Sequence, residues 1–236
     1  MLIAHPVANK PKAVAICEAF IAGAPRDAVG HVFYGVNESN VATWRQVRKL
    51  GEPWYYLDNS YFDATRGHRF RVARDAVQVS VDGRRTNAQR FRDMGIKLRP
   101  YFDGDERSVW LAVEQSPSFM ACVAEDPTYL ARRLHDLRGV KLRQWSRDKA
   151  AASSTLAEDL RQACVLITHS SAAAVEAVIA GVSIWVSPMS VLASFATLQQ
   201  GMADRLADRE RVLGVLADHE FTLDEMRDGL PWRTVL

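Results

Sequence analysis

The stretch Ala163–Pro188, ACVLITHSSAAAVEAVIAGVSIWVSP, decides the fold class. Its first apolar run, Cys164–Thr168, has the length of a buried strand. A polar turn follows at His169-Ser170-Ser171. Ser171–Ala180 is rich in small apolar residues and stops at Gly181, as a helix does. Ser183–Val186 reads as the next strand, closed by Ser187-Pro188. Strand, polar turn, helix, glycine and strand are the parts of a parallel α/β sheet. Small residues let the helix approach the sheet and leave its first-turn N–H groups facing the space beyond the strand. Ligands of open α/β sheets bind there, outside the carboxyl ends of the strands. A phosphate fits this place, with the Ser170 and Ser171 hydroxyls as further donors. Glu176 falls in an otherwise apolar helix face, and a buried carboxylate needs partners. It is expected to bond the backbone or a sugar hydroxyl. The plainer alternative is a serine-capped helix with Glu176 in solvent.

The same alternation runs outward from this stretch. Met1–His5 reads as a strand, Lys12–Ala22 as a helix ended by Gly23 and Pro25, and Ala28–Val36 as a strand. Ser39–Leu50 reads as a helix capped by Ser39 and ended by Gly51. Trp54–Leu57 is a third strand. Arg69–Ser80 alternates roughly with period two, which predicts a strand or hairpin with one wet face. Arg84–Met94 reads as a polar helix, and Pro100–Glu106, with Pro, Gly and three acids, as a linker. A second series follows: strands at Val109–Val113 and Val140–Trp145, helices at Thr128–Leu137 and Leu156–Gln162. Two helices close the chain, near Arg209–Asp218 and Leu223–Arg227. The expected architecture is α/β, with two reduced Rossmann-like halves, 1–105 and 106–236, facing a cleft, and with the C-terminal helices packing back.

Composition narrows the class. At 236 residues with 48% hydrophobic and 25% charged residues, the chain is an ordinary globular protein of about one and a half domains. No apolar run approaches the ~18 residues of a membrane span. Cys17, Cys122 and Cys164 are scattered, and none forms a C-x-x-C pair, so reduced thiols in a cytoplasmic protein are expected. The net charge of +2 is unevenly spread: residues 66–107 hold 11 Arg and Lys against 6 acids, and the tail from Asp204 holds 8 acids against 5 bases. A basic stretch attracts phosphate, in nucleotides or nucleic acid, although solvated arginines explain it as simply. There is no G-x-G-x-x-G, Walker lysine, G-x-S-x-G or H-E-x-x-H, which argues against dinucleotide oxidoreductases, P-loop kinases, α/β-hydrolases and zincins. No histidine or cysteine spacing predicts a metal.

THSSAAAVEAVIAGVSIWVSP (Thr168–Pro188) resembles the nucleotide-sugar-binding half of GT-B type glycosyltransferases. It is closest to the capsule-polysaccharide and lipid-A-disaccharide-synthase-like members. A Ser-rich turn there precedes a helix that carries a Glu-Ala pair and ends at Gly. The chain also resembles short glycosyltransferase-like proteins of phages and prophages, in Asp208–Trp232 and Trp54–Arg71. The resemblance implies that His169, Ser170 and Ser171 hold the diphosphate of an activated sugar, UDP-type by expectation. It implies that Glu176 faces ribose or sugar hydroxyls, with no bound cofactor or metal. A basic residue among Arg143, Arg147 and Lys149 would neutralise the leaving group.

Other residues complete the expected site. Ser116 and Ser118 form a small polar turn suited to a second phosphate or sugar contact. His5 ends the first strand and is placed to face the same cleft. Asp58, at the end of the third strand, is a candidate general base on an acceptor hydroxyl, with Asn59 and Tyr61 orienting that acceptor. Asp-Asn-Ser is also ordinary turn chemistry. Arg69 and Arg71 point to one face and suit phosphates of donor or DNA. The acceptor stays open between a hydroxymethylated DNA base and a saccharide or lipid. A non-catalytic nucleotide or nucleic-acid binding protein, or an assembly protein, is the rival class.

Overall fold

The computed structural model describes residues 1–7, 10–62, 68–101, 108–145, 154–199 and 206–236. Along the chain lie β1 (Leu2–Pro6), α1 (Pro11–Ala22), β2 (Gly30–Tyr34), α2 (Val41–Leu50), β3 (Trp54–Asn59), β4 (Phe70–Arg74), α3 (Gln89–Asp93) and β5 (Val109–Val113). Then come α4 (Pro117–Cys122), α5 (Tyr129–His135), β6 (Val140–Arg143), α6 (Leu156–Gln162), β7 (Ala163–Thr168), α7 (Ala173–Ile179) and β8 (Ser183–Val186). The last elements are α8 (Ala193–Gln199), α9 (Leu206–Asp218), β9 (Glu220–Phe221), α10 (Leu223–Arg227) and α11 (Leu230–Thr234). They form two units: Met1–Val79 with Leu216–Leu236, and Ser80–Val215. Residues 80–105 therefore pack with the second unit and the last 21 residues with the first, whereas the sequence reading puts the division near 105. Among the described residues, no helix is long and apolar enough to cross a membrane.

The first unit holds a sheet of order β1-β2-β3-β4-β9. The first three strands are parallel, and β4 and β9 run antiparallel to their neighbours. Ala13, Ile16, Cys17 and Phe20 recur at helical spacing on α1 and pack on Val32, Tyr55, Leu57 and Val72. The C-terminal helices return to this core. Trp232 of α11 lies 4.8 Å from the Phe20 ring and donates from Nε1 to the Phe20 carbonyl at 3.2 Å. Burying the Phe20 side chain contributes ~2 kcal/mol. The N-cap of α2 is Asn40, not Ser39, whose hydroxyl bonds Asn37 Oδ1 at 2.7 Å instead. Gly51 closes that helix at φ +67°, as its sequence position predicts.

β4 corrects the expectation of one wet face. Phe70, Arg71, Val72 and Ala73 are all buried, because both faces of the strand are covered. Its partner β9 carries Glu220, which is wholly buried. The Glu220 carboxylate accepts hydrogen bonds from the Ser60 hydroxyl and the Tyr61 backbone N–H. Burial disfavours its charge more than those bonds, Arg71 and Arg69 favour it, and pushes its pKa up to about 7.

The second unit holds a fully parallel sheet of order β6-β5-β7-β8. Its helix α7 is anchored at the carboxyl end. Gly181 takes φ +72°, and the Val182 N–H reaches back to the Ala177 carbonyl at 2.9 Å. A Cβ at Gly181 would lie 2.0 Å from the Pro100 carbonyl oxygen. Arg209 of α9, also fully buried, donates to the carbonyls of Arg99 at 2.6 Å and Val178 at 2.7 Å. Its guanidinium covers the Tyr101 ring at 4.5 Å. A cation at the carboxyl end of a helix also suits the helix dipole.

Two stability measurements check these contacts. Gly181→Ala should cost at least about 2 kcal/mol in denaturant unfolding, from the left-handed conformation plus the clash with Pro100; a loss under about 0.5 kcal/mol would contradict the close approach. For Glu220 the folded chain holds a proton that the unfolded chain releases near pH 4.5. Stability should therefore fall as pH rises from about 4.5 to about 7. Glu220→Gln should flatten that fall in thermal melts, and an unchanged slope would contradict it.

Candidate functional site

A parallel sheet of order β6-β5-β7-β8 reverses direction once. From β5 the chain crosses to β6 on one side, then returns past β5 to β7 and β8 on the other. The loops leaving β5 and β7 therefore diverge, and a crevice opens at their carboxyl ends. The Thr168 hydroxyl donates to the Val113 carbonyl at 2.8 Å and fastens the two strand ends side by side. Ser116, Ser118, His169, Ser170 and Ser171 all sit on the two loops that leave this point.

Ser116 caps a helix that the sequence reading takes for a plain turn. Its Oγ accepts from the Phe119 N–H at 3.2 Å, and Pro117 occupies the first helical position of α4. Ser118 is half-buried in the first turn. Across the crevice, Ser171 Oγ accepts from the Ala173 N–H at 3.2 Å. Ser170 is turned inward against His169, Oγ to Nδ1 at 3.0 Å. His169 is itself buried, with the Ser187 hydroxyl 3.4 Å from Nδ1. The Ser187 N–H donates to the His169 carbonyl at 2.9 Å. His169 Nε2 is buried toward the backbone of Asp126 without a hydrogen bond of good geometry. Burial lowers the His169 pKa, against the pull of Asp126, and favours the neutral ring. His169 thus holds the loops after β7 and β8 together and brings no cation to a phosphate. The Gln115 Oε1 atom is also buried without a hydrogen-bond partner.

Two expected contacts lie elsewhere. Glu176 is exposed while its neighbours Ala174, Val175, Ala177 and Val178 are buried, so the expectation of a buried carboxylate does not hold. The helix packs by its small residues and turns Glu176 outward. Arg143 ends β6 but its charge is engaged: Nη1 bonds Asp159 at 2.7 Å and the Ser154 carbonyl at 2.8 Å. Asp159 is almost fully buried and also takes Lys141 Nζ at 2.6 Å and the Ser154 hydroxyl at 2.7 Å. Burial raises its pKa, yet those bonds outweigh it and hold the carboxyl below its ordinary value. Lys149 and Arg147 lie outside the described residues.

Next to the crevice is a groove of about 530 Å³, lined by Tyr129, Arg133, Trp185, Val186, Pro188 and Ser194 among others. It adjoins the serine loops through Tyr129, whose ring meets His169 edge-on at 5.9 Å, and through Pro188, which follows Ser187. Trp185 packs edge-on against Trp110 at 5.0 Å. Sequence reasoning sees Ser187-Pro188 and Trp185 only as strand punctuation. It gives no site role to Tyr129 and Arg133, which lie one helical turn apart on α5.

The expected acceptor residues gather in the first unit but are occupied. Asp58 Oδ2 bonds Arg71 Nη2 at 2.6 Å and accepts from the Tyr56 hydroxyl at 3.3 Å; Oδ1 accepts from the Asn59 N–H at 2.8 Å. A carboxylate paired this closely is a weak base. Arg71 is buried, also bonds Gln78 Oε1 at 3.2 Å and lies 4.5 Å over the Tyr61 ring. Burial opposes its charge, but Tyr61 and Asp58 outweigh that and raise its pKa. Tyr61 is buried, with its hydroxyl on Gln78, and Asn59 Oδ1 accepts from Tyr34 at 2.9 Å and Lys12 at 3.3 Å. Arg69 reaches Glu225 Oε2 and the Glu220 carbonyl, each at 3.4 Å. The structure therefore corrects the reading of Asp58 as a poised base and of Arg71 as a phosphate or DNA contact: both belong to a buried polar network that holds the turn after β3. Among the described residues, no cluster of three or more His, Cys, Asp or Glu side chains is arranged to hold a metal ion.

No protein-family model matches the chain, and no curated protein sequence does. Solved structures do match. One is the beta Kdo 2,4 transferase of Thermosulfurimonas dismutans KpsC, at TM-score 0.56 and 14% identity over 94% of this chain and 92% of that one. Another is the beta Kdo 2,7 transferase of the same KpsC, at TM-score 0.56 and 11% identity over 97% and 98%. The chain has the GT-B-like glycosyltransferase fold.

Proposed function

We propose that the chain is a glycosyltransferase that takes its sugar from a nucleotide-activated donor bound at the carboxyl ends of β5 and β7. One observation carries this reading: the crevice at the strand reversal, lined by serine loops, runs into an aromatic groove of nucleoside size. The base lies in the groove against Trp185 and Tyr129. The phosphates lie by Ser116, Ser118, Ser170 and Ser171, where first-turn N–H groups and hydroxyls face the anion. Arg133 is the cation that lines this groove, since Arg143 is bound to Asp159. Catalysis is positioning of the donor and stabilisation of charge on the leaving phosphate. Both structural neighbours transfer Kdo, which makes an acidic sugar the first donor to offer.

A saccharide acceptor suits the chain better than a DNA base. The DNA reading needs a free basic track over residues 66–107. In that stretch Arg69, Arg71, Arg74 and Arg92 each pair with a carboxylate, those of Glu225, Asp58, Asp75 and Glu210. Such pairs leave little charge for phosphates.

The test is a thermal-shift screen of UDP-, GDP- and CMP-activated sugars. A ligand held at 100 times its Kd stabilises by about 2.7 kcal/mol, a shift of several degrees. Trp185→Ala should weaken the best ligand about 5- to 150-fold, the range for one stacked base. Glu176→Ala should leave its affinity within twofold. No shift with any activated sugar, or wild-type affinity in Trp185→Ala, would sink the reading. Binding without transfer to any saccharide would reduce the chain to a nucleotide-binding protein.

A further inference from the structure

A second cluster of titratable groups lies in the first unit, away from the crevice of β5 and β7. His5 Nε2 is 2.8 Å from His31 Nδ1, and His31 Nε2 is 2.6 Å from Glu52 Oε2. The His5 ring stacks on Phe33, centroids 4.7 Å apart and 18° from parallel, and lies nearly parallel to His31 at 5.1 Å. His5 is therefore held in one plane. It is the penultimate residue of β1, near the carboxyl ends of the parallel strands, while Glu52 lies before the start of β3. The chain of groups runs along one face of the sheet toward its carboxyl edge.

Hydrogen bonding fixes where the protons sit. An ionised carboxylate only accepts, so His31 Nε2 carries the proton that faces Glu52. With both rings neutral, His31 Nδ1 must then accept, and His5 Nε2 must donate. That leaves His5 Nδ1 as a bare lone pair. His5 is half-buried, and Nδ1 makes no hydrogen bond among the described residues and is not a buried atom, so it meets solvent.

We propose that Glu52, His31 and His5 form a proton relay whose accepting atom is His5 Nδ1, and that this atom takes the proton of the acceptor hydroxyl during transfer. The transfer part rests on the glycosyltransferase reading above. The hydroxyl O–H bond breaks, and its electron pair stays on the oxygen that attacks the anomeric carbon. The bond from that carbon to the phosphate oxygen breaks, and its pair leaves with the nucleotide. The proton goes to His5 Nδ1, the Nε2 proton of His5 passes to His31 Nδ1, and His31 becomes an imidazolium against Glu52. The positive charge thus settles 2.6 Å from a carboxylate, not on the partly buried His5. Burial, and then His31, lower the His5 pKa, which keeps that ring neutral. Among the described residues, His31 is the titratable side chain that acts on His5, and Glu52 is the one bonded to His31.

The deciding experiment is nitrogen-15 NMR of the imidazoles in the full chain across pH, with His5→Gln and Glu52→Gln. Near neutral pH, His5 should be the Nε2–H tautomer. On acidification the first imidazolium should be His31, and Glu52→Gln should lower the proton affinity of the pair about tenfold or more. A His5 Nδ1–H tautomer beside a neutral His31, or His5 charging first, would overturn the relay. With the activated sugar that binds best, His5→Gln should cut turnover at least 100-fold, while donor affinity stays within twofold. Wild-type turnover in that variant would remove His5 from the transfer step. If no activated sugar binds the wild type, the glycosyltransferase reading fails, and the imidazole spectra still judge the relay.

Discussion

The single reversal of strand order at β5 is the constraint on which the second unit depends. An all-parallel sheet cannot place β6 and β7 on opposite sides of β5 without sending their connecting loops apart. The Thr168–Val113 hydrogen bond holds the two strand ends together at the point where the loops separate. The small residues of α7 let it lie against the sheet behind the gap. Gly181, Pro100 and Arg209 then hold the far end of that helix. His169, pinned between the hydroxyls of Ser170 and Ser187, ties the third loop to the second. The crevice is thus a product of topology, and its serines are there because the strands end there.

Charge tells the opposite story from the one its counts suggest. A sequence with 24 arginines invites a basic surface. Yet Arg71, Arg143 and Arg209 each complete a buried or half-buried polar network. Removing one partner of such a network leaves an unsatisfied group, which costs far more than a solvated surface pair contributes. Asp159 illustrates the balance. Its burial would favour the neutral acid, but three donors and two cations keep it ionised. Glu220 illustrates the other outcome, since two hydrogen bonds and nearby arginines do not offset complete burial.

Much of this was legible in the sequence. Leu156–Gln162, Ser183–Val186 and Leu223–Arg227 appear with the bounds their apolar spacing predicts, because capping boxes and glycines mark their ends locally. The serine loops are found for the same reason: a strand that ends in polar small residues declares its carboxyl edge. What was not legible depends on partners distant in sequence. Glu220 bonds a turn 160 residues away, and Asp58 meets Arg71 only because β3 and β4 pair antiparallel. Period two on Arg69–Ser80 predicts alternation, but β9 and its neighbours cover the face that solvent would have wetted. The short helices Pro117–Cys122 and Leu230–Thr234 each begin at or next to a proline and carry too few residues for a periodic signal. Tyr129 and Trp185 needed the fold to become one groove.

The most direct test of the central claim is where a nucleotide touches the chain. Backbone amide NMR can be recorded with the nucleotide released by whichever activated sugar stabilises the protein most. The account predicts that the largest shifts fall on residues 113–118, 168–171 and 185–190, around the reversal at β5 and the groove beside it. Shifts centred on the turn at residues 58–62, with the loops after β5 and β7 unmoved, would contradict it.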